Sequence, residues 1–155
     1  IKASAEHMID DNFEALLLKK QVLPIGKDYL LIEMSYLQPP INFEASIEAI
    51  GRSKLFPILA HPERYNFLHN KIKRYSEFKK LGIQFQLNLL SLGNYYGKEV
   101  LKIAIKLLED GMIDFVGSDV HNLRQISALK KVVLTKKITQ LIEPIIDRTT
   151  YSFID

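Results

Sequence analysis

Four stretches of the chain end an apolar run in a residue type that binds metal ions. Ala3-Ser4-Ala5 leads to Glu6, Tyr29-Leu30-Leu31-Ile32 to Glu33, and Phe56-Pro57-Ile58-Leu59-Ala60 to His61. Ile113-Asp114-Phe115-Val116-Gly117-Ser118 leads to Asp119, with His121 two places on. Carboxylates supply hard oxygen and imidazoles borderline nitrogen, a mixture that suits manganese, iron or zinc. In extended backbone, residues two apart point to the same side, so Asp119 and His121 can face one ion or two neighbouring ones. His61-Pro62-Glu63-Arg64-Tyr65 adds an arginine in the same loop as His61, and a guanidinium can take a phosphate in bidentate fashion. Each motif also has a plainer explanation. A strand-end Asp can cap the next helix beside a surface His, and an exposed loop can hold an Arg–Glu ion pair. The common position of the two motifs, each just past an apolar run, favours chemistry. Glu33 follows four apolar or aromatic residues, where an unpaired carboxylate is costly to bury and a metal or another cation is a fitting partner. A metallohydrolase is the reading these residues support first.

The elements that must position them alternate. Strands are expected over Ile1–Glu6, Tyr29–Met34, Phe56–Ala60, Ile83–Leu87 and Ile113–Gly117. Between them, Phe13, Leu16 and Leu17 give a helical face, opened by a capping-box-like Asp11-Asn12-Phe13-Glu14. Phe43, Ile47 and Ile50 recur at helical spacing before Gly51, Ile72, Tyr75 and Phe78 before Gly82, and Val100, Ile103, Ala104, Leu107 and Leu108 before Gly111. Helical spacing resumes with Leu129, Val132 and Val133 and again from Ile138 to Ile142. Alternating strands and helices argue for parallel βαβ units, and continuously apolar strands for a sheet covered on both faces. Ligands gather where the parallel strands of such a sheet end. His7 should point away from Glu6, and His69 lies in a polar loop, so neither joins the set. Asn88 and Ser91 follow a strand and can either line the site or cap a helix.

Composition narrows the classes. The chain has 155 residues, enough for one domain with a sizeable core, and is 47% hydrophobic and 25% charged with a net charge of +3. Its basic residues are scattered, and no arginine stripe interleaved with aromatics supports nucleic-acid binding. Cysteine is absent, which excludes thiolate phosphatase chemistry within this chain. No apolar run reaches the roughly 20 residues that span a bilayer, and no signal peptide is visible, so a cytoplasmic protein without membrane insertion is expected.

Ala5-Glu6, Leu31-Ile32-Glu33-Met34-Ser35, Ala60-His61-Pro62-Glu63-Arg64-Tyr65 and Gly117-Ser118-Asp119-Val120-His121-Asn122 together resemble the bacterial capsule-locus protein-tyrosine phosphatases. These are manganese-dependent members of the polymerase-and-histidinol-phosphatase (PHP) superfamily. The likeness runs from Ala5 to about Ile126, with the motifs in the family's order and spacing. It implies a distorted TIM-like (β/α)7 barrel, and metal-assisted hydrolysis of a phosphomonoester without a phosphoenzyme. Glu6, Glu33, His61, Asp119 and His121 would be the metal ligands, and Arg64, with Arg124 as a second arginine, would hold the phosphoryl group. The implied cofactor is manganese, with iron, zinc or magnesium as alternatives, in a multinuclear cluster. The implied partner is a phosphotyrosine protein, a bacterial tyrosine kinase of a polysaccharide locus.

Two departures from the family pattern stand out. The family opens with an Asp-x-His-x-His strand, and a further histidine ligand precedes the Ala-Glu strand; this chain has neither. The expectation is therefore that residues 1–155 are the C-terminal portion of a single PHP domain lacking its N-terminal strands, and inactive alone. The family's Arg-Pro beyond the last histidine is also missing, since Arg124 comes three residues after His121 and no proline follows. Two other functions stay open: hydrolysis of a small phosphoester such as histidinol phosphate, and a non-catalytic PHP-like module.

Overall fold

Each apolar run pairs in parallel with the next one along the chain. The computed structural model describes residues 3–153. Strands β1 (Glu6–Met8), β2 (Tyr29–Glu33), β3 (Phe56–Ala60), β4 (Gln84–Asn88) and β5 (Phe115–Gly117) form one sheet in the order 1-2-3-4-5. The connections carry α1 (Phe13–Leu18), α2 (Phe43–Arg52), α3 (Ile72–Lys80) and α4 (Lys98–Glu109), and α5 (Leu123–Leu129) and α6 (Lys136–Phe153) follow β5. Short 3-10 segments at Pro62–Arg64, Asn66–Leu68 and Leu89–Gly93 shape the loops after β3 and β4.

One face of the sheet carries the core. Leu30, Ile32, Leu59, Phe85, Leu87 and Val116 pack there against Phe43, Ile47 and Ile50 of α2, Tyr75 and Phe78 of α3, and Ile103 and Leu107 of α4. Burial of each such side chain contributes about 1.5–3 kcal/mol, and the Phe43–Phe78 pair, with ring centroids 4.9 Å apart, ties α2 to α3. The other face is less apolar than the continuous runs suggest. Tyr29, Leu31, Glu33, Gln84 and Gln86 alternate onto it and are only half-buried. At its base Phe153 of α6 packs edge-on against Tyr29 and also meets Phe115.

Register aligns the strand ends. Met8 lies opposite Glu33, Ala60 opposite Gln86, and Asn88 opposite Gly117. Glu33 therefore ends β2, His61 follows β3, Asn88 ends β4, and Asp119 comes two residues after β5.

Several expectations fail locally. Glu6 opens β1 rather than ending a strand over residues 1–6; Ile1 and Lys2 lie outside the described residues. Ala5 instead donates its N–H to Leu23 O at 3.1 Å. The capping box does not form: the N-cap of α1 is Asn12 without a side-chain cap bond, and the Glu14 carboxylate accepts from Asn42 at 3.3 Å. Gly51 lies inside α2, and the turn that follows is taken by Lys54 at φ 61°. Val132 and Val133 fall between α5 and α6, because α5 starts earlier, at Leu123, where Asn122 caps it by accepting from Gln125 N.

Candidate metal centre

His61 sits at a backbone position few residues accept. Its φ of 35° and ψ of 55° are left-handed, a conformation that costs a non-glycine residue on the order of 1 kcal/mol or more. Two hydrogen bonds and a proline hold it there. Its N–H donates to Gln86 O at 2.8 Å, its carbonyl accepts from Arg64 N at 2.9 Å, and Pro62 fixes the next φ. The ring, 3% exposed, is thereby aimed at two carboxylates: Nε2 lies 3.0 Å from Glu6 Oε1 and 3.6 Å from Glu33 Oε2. Glu6, Glu33 and His61 each offer one ligand atom, and these atoms all lie within 4.8 Å of one another. Burial opposes charging of the His61 ring, yet the facing Glu33 and Glu6 carboxylates outweigh it and lift the pKa to about 9.

The donor chemistry fits a cation. One imidazole nitrogen with carboxylate oxygens is the mixture that manganese, iron and zinc accept. Glu6 Oε1 is buried with no well-formed hydrogen bond despite its closeness to the ring, so the pair is better described as ligand atoms facing a shared point than as a hydrogen bond.

Asp119 and His121 form a second group beside this triad. Asp119 is also left-handed, at φ 46°. Its Oδ2 accepts from Arg64 Nη1 at 2.6 Å and Asn88 Nδ2 at 3.0 Å, while Oδ1 lies 2.7 Å from His121 Nε2. Asp119 is 12% exposed and His121 70% exposed. Among the described residues, the three-ligand group within 4.8 Å contains neither of them. Arg64 joins the Asp119 group from the loop after β3. Arg124 is exposed on the first turn of α5, where no ion pair holds it among the described residues.

The supporting residues come from the same loops. Tyr65 is fully buried, donates to Ala60 O at 3.1 Å, and accepts from Met34 N at 3.0 Å, so it joins the ends of β2 and β3. Glu63 is also fully buried, and its Oε1 accepts from Ser91 Oγ at 2.6 Å and Asn88 N at 3.1 Å. Burial pushes its carboxyl upward, and these bonds only partly offset that rise. Asn88 does both things open to it: Oδ1 caps Leu90 N at 2.9 Å while Nδ2 reaches Asp119. Ser91 braces Glu63 instead of lining the site. His7 accepts from Leu23 N at 3.1 Å, and His69 bonds Glu63 O at 2.8 Å, so both stay outside the ligand group.

Sequence reading missed Tyr36 and Tyr96. The Arg64 Cζ lies 4.8 Å from the ring centroid of Tyr36 and 4.2 Å from that of Tyr96. The Tyr36 hydroxyl also lies 3.3 Å from His61 Nε2. Tyr36 lies three residues past β2 and Tyr96 eight past β4, and nothing in the sequence around either one points to the arginine.

Fold and site together define a class: a parallel α/β protein with a candidate metal-binding triad, drawn from the start of β1 and the ends of β2 and β3, and an adjacent, largely buried arginine. Comparison with known proteins places it further. The model of the family "Capsular polysaccharide synthesis, CpsB/CapC" matches residues 1–141, and the chain belongs to that family. It is 28% identical over 109 residues to the tyrosine-protein phosphatase YwqE of Bacillus subtilis, covering 70% of this chain and 43% of that protein. It is 32% identical over 113 residues to the tyrosine-protein phosphatase CpsB of Streptococcus pneumoniae, covering 68% and 46%. Among solved structures it is similar to the crystal structures of YwqE from Bacillus subtilis and CpsB from Streptococcus pneumoniae, described as unique metal-dependent tyrosine phosphatases. That likeness has a TM-score of 0.74 at 25% identity, over 92% of this chain and 61% of the other. The chain thus spans about half the length of the curated relatives it matches. Among the described residues, no helix is long and apolar enough to cross a membrane.

Proposed function

We propose that residues 1–155 are the C-terminal portion of a single PHP phosphatase domain that hydrolyses phosphotyrosine with the help of manganese. The observation that carries this reading is the convergence of Glu6, Glu33 and His61 beside an arginine held by Asp119. The names of the relatives supply the reaction class: tyrosine-protein phosphatases of the capsule-synthesis family. In this reading the five parallel strands are the later units of a distorted TIM-like (β/α)7 barrel. The substrate is a phosphotyrosine protein, a tyrosine kinase of the same polysaccharide locus, and the enzyme acts in the cytoplasm.

Glu6, Glu33 and His61 would hold one ion, and Asp119 and His121 would extend the centre to another. Manganese suits this donor set, with iron, zinc or magnesium as alternatives. Bound ions would supply Lewis acidity toward a phosphoryl oxygen and acidify water. Arg64 would direct its free guanidinium donors at the remaining phosphoryl oxygens, in a largely buried setting where such bonds are strong. Arg124, exposed on α5, would serve as the second arginine only for groups that reach that far. Tyr65 and Glu63 keep the loops in place and touch no substrate.

The test is turnover of a phosphotyrosine peptide by the manganese-loaded full-length protein, beside small phosphate esters. Asp119→Ala is expected to lower turnover by about a hundredfold or more while leaving the unfolding temperature near that of the parent. Near wild-type turnover by that variant at saturating manganese would overturn the role of Asp119. Turnover of small phosphate esters with none on the peptide would overturn the substrate.

A further inference from the structure

Arg64 is gripped more closely than an ion pair with Asp119 requires. We propose that Tyr36 and Tyr96 are positioning residues, a two-ring clamp that holds the Arg64 guanidinium ready for a phosphate and so sets the phosphate affinity of the site. This inference rests on the phosphoryl-binding role proposed above for Arg64.

An arginine on a one-turn segment such as Pro62–Arg64 is long and rotamer-rich, and binding an anion normally requires ordering it. Here it is already ordered. Asp119 fixes Nη1 at 2.6 Å, and the rings of Tyr36 and Tyr96 pack on the guanidinium at 4.8 and 4.2 Å. The rings come from different loops, one after β2 and one before α4, and make no ring contact with each other among the described residues. The clamp is itself locked. Tyr36 stacks on Tyr65 with centroids 5.8 Å apart and an interplanar angle of 28°, and Tyr65 is pinned to both neighbouring strand ends. The Tyr96 hydroxyl accepts from Asn88 Nδ2 at 3.3 Å, the same amide that donates to Asp119. One network thus joins the arginine, its counter-ion and one of its rings.

The geometry also says what is left for a ligand. A guanidinium carries five N–H donors in its plane, while aromatic rings pack on its faces and consume none of them. Among the described residues Asp119 is the sole side-chain acceptor for Arg64, through Nη1. The remaining in-plane donors are free for a tetrahedral oxyanion, the phosphate of a monoester. A lysine could not be held or used in this way.

The experiment measures binding of inorganic phosphate to the manganese-loaded full-length protein by calorimetry. Tyr36→Leu and Tyr96→Leu keep bulk and remove the ring. Each is expected to weaken phosphate binding about 2- to 30-fold, the range that a cation–π contact spans, while Tyr36→Phe and Tyr96→Phe stay within about twofold. Tyr96→Leu, which does not touch the triad, should leave manganese affinity unchanged and raise KM for a phosphotyrosine peptide more than it lowers kcat. In an Arg64→Ala background the Tyr96→Leu effect should vanish. Leu variants that bind phosphate like the parent, while Arg64→Ala binds it weakly, would overturn the clamp and leave the phosphoryl role of Arg64 standing. A Tyr96→Leu loss that persists without Arg64 would also overturn the clamp. Phosphate binding unaffected by Arg64→Ala would overturn the reading beneath it. Loss of manganese in Tyr96→Leu would show that the residue supports the fold of the centre, and the clamp would fall in that case too.

Discussion

His61 is where backbone, charge and chemistry meet in one residue. A left-handed non-glycine before a proline is a costly local choice, and it persists because bonds to Gln86 and Arg64 fix the chain on both sides. The result is an imidazole facing the Glu6 and Glu33 carboxylates. Burial opposes its protonation, but those carboxylates raise its pKa from 6.5 to about 9. In the metal-free protein His61 therefore contributes stability that is complete below pH 6.5 and is lost as pH rises through about 9. Metal binding runs the opposite way, since the ion needs the deprotonated ring. Manganese affinity is expected to rise with pH across that window, by up to about tenfold per pH unit, and to level off above it. Calorimetric titrations at several pH values check this, and an affinity independent of pH would contradict it. At this scale the sequence was informative where a residue type carries its own chemistry. Glu6, Glu33 and His61 were named from runs that end in a ligand type, and the structure brings them together. Tyr36 and Tyr96 were invisible, because an aromatic residue in a loop announces nothing until the arginine it packs against has a position.

Among the elements, the site depends on loops tied to one another rather than on strands alone. A parallel register aligns the strand ends to within a residue or two but leaves each following loop free. Tyr65 removes that freedom between β2 and β3 by accepting from Met34 N and donating to Ala60 O. Glu63 does the same between the loops after β3 and β4, through Asn88 N and Ser91 Oγ. Tyr65→Phe would leave a buried N–H and a buried carbonyl each without this partner. It is expected to destabilise the protein by about 1–3 kcal/mol, seen as a lower thermal midpoint, and to weaken manganese binding because Glu33 and His61 flank the two lost bonds. An unchanged midpoint and unchanged manganese affinity would show that the bridge is idle. Strands β2 to β5 were readable from apolar runs, because burial on the core face is written into residue type, whereas β1 begins at Glu6, where the expected first strand was to end. Helix ends were not. Asp11 and Glu14 spelled a cap, yet Glu14 is drawn to Asn42 on the neighbouring loop. Val132 kept helical spacing, yet it packs so close to Gly93 that a Cβ there would lie 2.6 Å from its Cγ2. In both places tertiary contacts accompany the loss of a local preference, about 1 kcal/mol for a cap and a few tenths of a kcal/mol for helix propensity.

For the molecule as a whole the decisive feature is that its two sheet edges differ. The β5 edge is covered: α6 packs along β5, and Thr149 Oγ1 accepts from Val116 N at 3.0 Å, taking a donor that no neighbouring strand uses. Beyond β1 no strand pairs among the described residues, so its outer backbone groups have no sheet partner. Strands in chain order 1-2-3-4-5 belong to a sheet that grows in one direction, as barrels do, and the relatives are about twice as long as the segment they share with this chain. If the proposed barrel is correct, additional strands join at β1, and the centre gains ligands there, beside Glu6. An open parallel edge invites self-association and local fraying. Residues 1–155 expressed alone should therefore hydrolyse p-nitrophenyl phosphate with manganese far more slowly than the full-length protein. The sharper measurement is hydrogen exchange followed by mass spectrometry on both forms. Amides of β1 should exchange quickly in residues 1–155 and slowly in the full-length protein. The Val116 amide, held by Thr149, should be protected in both. Equal protection of β1 in the two forms, together with equal turnover, would mean that the five-stranded sheet needs nothing at that edge, and the barrel reading would fail.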